Sequence, residues 1–208
     1  MANSKIDLDR YYRYALWLGW FTIIYNLLEG LVSVFYGAKG ETLTLFGFGV
    51  DSFIEVISGI GIVAMLLHIR RNPGVPRTTF EQTALQVTGM SFYLLCAGLL
   101  ITAIYNITTG HKPETTLPGV IISLISMAVM AALVAGKRKA GSALHSAPIL
   151  ADADCSMVCI YMSLVLLAAS LIYRLTGFGL VDSIGAFGLI YFAFHEGRES
   201  FEKAKYMG

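Results

Sequence analysis

The sequence predicts an all-α membrane protein, a bundle of six transmembrane helices with its N- and C-termini in the cytoplasm. Three observations carry that fold class. Of the 208 residues, 56 % are hydrophobic and only 14 % charged, a balance suited to a chain solvated by lipid. Six apolar segments, at about 13–36, 43–67, 80–106, 117–136, 148–174 and 180–196, each approach the roughly 20 residues needed to cross a bilayer. The basic residues alternate between connections. Twelve (Lys5, Arg10, Arg13, Arg70, Arg71, Arg77, Lys137, Arg138, Lys139, Arg198, Lys203, Lys205) fall in the N-terminal stretch, second loop, fourth loop and tail, and three (Lys39, Lys112, Arg174) in the odd-numbered loops. Under the positive-inside rule this puts both termini on the cytoplasmic side. The chain is then a single transmembrane domain over residues 1–208 with no soluble domain, and the plasma membrane is its expected location.

Composition also excludes. A formal net charge of +1, with basic residues distributed by topology rather than in a patch, implies no nucleic-acid partner. The N-terminus MANSKIDLDR is polar, and the apolar run after it is too long for a signal-peptide core, so no cleavage is expected. Cys96, Cys155 and Cys159 all lie in apolar segments, which argues for free thiols and against an extracellular disulfide framework. Turn signals separate the segments: Gly37 and Gly40, Pro73 with Gly74 and Pro76, Gly110 with Pro113, Gly136 with Gly141, and Gly177 with Gly179.

In the first segment, Asn26 and Glu29 are one helical turn apart and can face the bundle interior together. They read as an interhelical hydrogen bond or as support for a nearby site. The second segment contains GFGVDSFIEVIS, Gly47 to Ser58, where Asp51 and Glu55 share a helix face. Carboxylates in hydrocarbon cost kilocalories unless they line a cavity or meet a partner, so this pair is the default site. The third and fourth segments read as scaffold, with Gly89, Ser91, Gly98, Ser123 and Ser126 available for close packing and Cys96 as a small buried hydrophobe.

The fifth segment opens ADADCSMVC. Asp152, Cys155, Ser156 and Cys159 follow i, i+3, i+4, i+7 and form one polar stripe, with Asp154 pointing away. Two cysteines at this spacing are equally often packing residues, but a carboxylate on the same stripe favours a ligand set. In the sixth segment Asp182 reads as an N-terminal cap, Glu196 as part of a solvated helix end, and His195 as interfacial.

Depth brings the second and fifth segments together. At about 1.5 Å per residue, Asp51 and Glu55 lie roughly 12 to 18 Å below the outer face, and Cys155 and Cys159 roughly 10 to 17 Å from the inner one. Both pairs reach the middle of a core about 30 Å thick. Two carboxylates and two thiols suit a tetrahedral divalent ion such as zinc, whereas calcium or magnesium would take more oxygens.

These segments resemble the transmembrane domain of the cation diffusion facilitator family over essentially the whole chain: YNLLEG in the first, GFGVDSFIEVISG in the second, ADADCSMVC in the fifth and VDSIGAFGLIYFAFHEGRES in the sixth. The resemblance implies exchange of a divalent metal for protons through a midmembrane tetrahedral site, two ligands each from the second and fifth helices. Asp51 and Glu55 match the second-helix pair, with Glu in place of the commoner Asp. The family's Ala-Asp-x-x-His-x-x-x-Asp frame reads here Ala151-Asp152-x-x-Cys155-x-x-x-Cys159, so the implied metal ligands are Asp51, Glu55, Cys155 and Cys159, with Asp152 and Ser156 as the shifted alternative. Cysteine in both positions implies a softer metal preference. Zinc is the expected substrate, with cadmium, cobalt, manganese and iron(II) as the others to scan. The family's usual cytoplasmic C-terminal domain has no counterpart after the sixth segment, so a homodimer is expected through the membrane domain.

Two other classes compete with a metal–proton antiporter in the bilayer. A membrane sensor or accessory subunit would bind metal without moving it. An intramembrane enzyme is disfavoured, because GFGVD departs by one residue from the Gly-x-Gly-Asp of aspartyl proteases and no His-Glu-x-x-His is present. No enzyme activity is expected.

Overall fold

The computed structural model describes residues 2–38, 43–72, 74–109, 117–177 and 181–207 of the chain. They form six helices: α1 (Ala2–Ala38), α2 (Leu43–Arg71), α3 (Arg77–Thr109), α4 (Leu117–Leu144), α5 (Ala147–Thr176) and α6 (Val181–Tyr206). No strand occurs among the described residues. Lys39 and Lys112, the turn signals Gly40, Pro73, Gly110, Pro113 and Gly179, and the side chain of Asp182 lie outside those described.

Among the described residues, five helices contain stretches long and apolar enough to cross a membrane: Leu8–Tyr36, Phe48–Arg71, Arg77–Thr109, Gly119–Leu144 and Ala147–Val165. The sixth is not among them, because its second half carries Glu196, Arg198, Glu199, Glu202, Lys203 and Lys205. That half is held instead by i, i+4 pairs, Arg198 with Glu202 at 2.8 Å and Lys203 with Glu199 at 2.7 Å. The Lys203 hydrogen bond keeps the Glu199 carboxyl below the usual glutamate range.

The helices outrun the apolar segments, since apolar length measures hydrocarbon thickness whereas a helix continues as long as its backbone and side chains permit. The most consequential case is α4. Its expected end near residue 136 is wrong: Gly136 and Gly141 lie inside the helix, and the chain turns at His145, whose φ is +49°. Lys137, read from sequence as a cytoplasmic loop residue, is a helical residue only 2 % exposed.

The longest interface of α1 is with α2, of α3 with α6, and of α4 with α5, while α2 and α5 also meet each other and α3. A glycine pair sets the α1–α2 approach. A Cβ on Gly30 would stand 3.0 Å from the Gly49 carbonyl oxygen, and one on Gly49 only 2.8 Å from the Val34 nitrogen. Only small residues let the backbones come this close, which brings Asn26 and Glu29 against the acidic face of α2. On the far side of α1, Trp17, Ile24, Leu28 and Leu31 are each more than half exposed, an apolar surface suited to lipid.

Candidate metal site

Helical periodicity puts Asp51, Glu55, Ser58 and Ile62 on one face of α2, and each is buried. Asp51 and Glu55 are each 2 % exposed. From α5, the Cys159 thiol donates to Asp51 Oδ2 at 2.7 Å. From α1, the Asn26 amide donates to Glu55 Oε2 at 2.8 Å. The other oxygens, Glu55 Oε1 and Asn26 Oδ1, are buried with no hydrogen-bond partner. Buried acceptors left open in this way are rare and call for an explanation, and a cation supplies one. One step along α2, Ser52 donates to Glu29 Oε2 at 3.1 Å, and the Tyr25 hydroxyl donates to Glu29 Oε1 at 2.9 Å.

A second polar cluster lies further along the same faces. Asp152 of α5, 2 % exposed, accepts from Ser58 at Oδ1 (2.7 Å) and pairs through Oδ2 with Lys137 of α4 (2.8 Å). Lys137 Nζ also donates to Ser156 Oγ at 2.8 Å and, at 3.5 Å, to the Asp152 carbonyl oxygen. Ser58 Oγ and Thr88 Oγ1 are 3.1 Å apart, which ties α3 in. The cluster therefore joins four helices around one ion pair.

Of the residues singled out by sequence, Asp51 and Cys159 are in direct contact across the α2–α5 interface. Glu55 is buried beside them and bonded to Asn26. Cys155 is 2 % exposed and packs with Ile54, Phe92, Leu95 and Val158. Asp152 is engaged by Lys137 and Ser58. Among the described residues no three His, Cys, Asp or Glu side chains are gathered tightly enough to hold one metal ion, so a set of four would have to close around its cargo. Asp154 does point away, and meets Arg138 at 3.0 Å on a more exposed surface. Reading the third and fourth segments only as scaffold was incomplete, since Thr88 of α3 and Lys137 of α4 both enter the second cluster. The missed signal was register: Met130, Leu133, Lys137, Ala140 and Leu144 continue one buried stripe at helical spacing. Ser58 was likewise legible, three residues beyond Glu55 on the same face.

A family model for the cation efflux transmembrane domain matches residues 20–207, covering every side chain just described. Transmembrane protein 163 of Xenopus laevis is 23 % identical over 168 residues, 81 % of this chain and 59 % of that protein. The chain thus spans about three fifths of the length of this curated relative. The matched family comprises multi-pass membrane transporters of divalent metal cations and is not a family of enzymes. With six helices in this arrangement and buried acids where α2 meets α5, the chain belongs to the cation efflux family through its transmembrane domain.

Proposed function

We propose that the protein exports a divalent transition metal, zinc first among the candidates, in exchange for protons by alternating access. Its cargo would be held by Asp51, Glu55, Cys155 and Cys159. The observation that carries this reading is the Asp51–Cys159 contact at 2.7 Å beside the unpartnered Glu55 Oε1. It is a carboxylate and a thiol from two different helices, with an open acceptor in the same buried layer. Thiols suit zinc and softer ions, and must lose their protons to ligate, so metal capture and proton release are coupled by chemistry. Side-chain movement toward a shared ion would complete the set, and its reversal would free the cargo on the other face. The lysine and arginine distribution supports cytoplasmic termini. The lipid-facing surface of the helices leaves room for a homodimer through the membrane domain.

The test is flux of zinc into proteoliposomes, with an internal pH indicator. Saturable zinc movement accompanied by opposite proton movement is expected, and both should vanish in Asp51→Ala. Zinc binding without flux would replace transport with a sensor or accessory role. Flux indifferent to pH between about 5.5 and 7.5 would remove the coupling to protons.

A further inference from the structure

The Lys137–Asp152 pair stands beside a hydrophobic core that already includes Met130, Leu133, Ala140 and Leu144 of α4 and Ile149 of α5. A lysine on this surface is also costly, since an ammonium must be removed from water and rematched with partners. Its partners are specific. Nζ bridges Asp152 Oδ2 and Ser156 Oγ, both at 2.8 Å, and these two residues are the i, i+4 pair that a shifted ligand frame on α5 would present to an ion. The remaining Asp152 oxygen accepts from Ser58. A cation already stands in that second frame, and it is covalently attached to α4.

We propose that Lys137 is a tethered counter-cation that fills the Asp152/Ser156 frame and so restricts the transported ion to the frame of Cys155 and Cys159. This inference rests on the proposed metal transport and goes beyond it by assigning which α5 residues serve the cargo. It also fixes the charge presented to that cargo. With Asp152 paired to Lys137, the carboxylates left to join the Cys155 and Cys159 thiolates at the ion are Asp51 and Glu55. Removing the lysine leaves Asp152 as an uncompensated carboxylate, on the same helix as Cys155 and Cys159.

The experiment is thermal unfolding of the purified full chain in detergent, first in chelator and then across a zinc titration. It compares wild type, Lys137→Met, Asp152→Asn and the double variant. In chelator each single variant should unfold at a lower temperature, and the double variant should recover most of that loss, because a buried charge is then no longer left alone. With zinc, Lys137→Met should reach half of its maximal stabilisation at about tenfold lower concentration than wild type, because Asp152 and Ser156 become free to take part. The double variant should respond at the wild-type concentration. If Asp152→Asn and the double variant lose the zinc response, Asp152 is itself a cargo ligand and the proposal is overturned. A zinc response in Lys137→Met identical to wild type overturns it equally. Should Lys137→Met fail to fold, the double variant alone still decides, by keeping or losing the response. No zinc or cadmium response in wild type would sink the transport reading instead, and this inference with it, whatever the result in chelator.

Discussion

Two clusters of buried acid lie along the same faces of α2 and α5, and they differ in how fully they are satisfied. Around Asp152 each carboxylate oxygen has a short partner and a full positive charge faces it. Around Asp51 and Glu55 the partners are a thiol and an amide, and Glu55 Oε1 has none. A protein gains nothing from burying an unpaired acceptor for stability alone. The saturated cluster therefore suits the empty protein, while the open one keeps an acceptor that a bound cation would satisfy. Asp51 and Ser58 are separated by two turns of one helix, about 10 Å.

The largest effect that would sharpen this contrast is expected from Asp51→Ala. Loss of even the groups that orient metal ligands typically costs 10–100-fold, so zinc flux should fall by about a hundredfold or more, to the leak of empty vesicles. The metal-free protein, relieved of a buried acid, should unfold at an unchanged or higher temperature. A variant that loses flux and stability together would mean that the open cluster is structural after all.

Lys137→Met should act in the opposite sense. Without metal it should lower stability by about 3–5 kcal/mol, the usual consequence of breaking one side of a buried pair. Denaturant titration in mixed micelles measures it. A loss below about 1 kcal/mol would place Lys137 among solvated pairs and erase the distinction between the clusters.

How much of this was legible in the sequence follows from the same physics. Asp51 and Glu55 stood out because acids are rare in a long apolar run, and Asn26, Glu29 and the Asp152–Cys155–Cys159 stripe because helical spacing puts them on one face. Lys137 did not, because it sits in a basic triplet with Arg138 and Lys139, beside Gly136, where an apolar scan ends the segment. Hydropathy averages over all faces of a helix and stops at the first charges. Burial is decided face by face, and the stripe from Met130 to Leu144 passes through Lys137 without interruption. Pairing partners were also out of reach: no local pattern says that Ser58 will meet an acid 94 positions away.

Asn26→Ala should have an intermediate effect. It removes the donor that orients Glu55 through a 2.8 Å bond without removing a ligand. The zinc concentration for half-maximal flux should rise about tenfold, in the range known for residues that orient metal ligands, with maximal flux largely retained. A zinc titration of the proteoliposome flux separates the two parameters. Collapse of maximal flux instead would make Asn26 part of the transport pathway itself.

The smallest expected effect comes from a residue two positions from Asp152. Asp154 also pairs with a basic residue of α4, meeting Arg138 at 3.0 Å, but the Arg138 side chain is 52 % exposed and that of Asp154 27 %. An ion pair in contact with solvent gains little over its hydrated parts and is weakened further by salt, so it contributes about 0–1 kcal/mol. Asp154→Asn should accordingly shift the unfolding free energy by less than about 1 kcal/mol, leave the zinc titration unchanged, and lose even that small shift in high salt. Asp152→Asn, on the same helix with the same chemical change, should destabilise the metal-free protein severalfold more and with little salt dependence, because its partner is buried. Equal effects from the two substitutions would mean that exposure of the partner does not separate these acids, and the division of α5 into a buried, charge-locked face and a solvated one would fail.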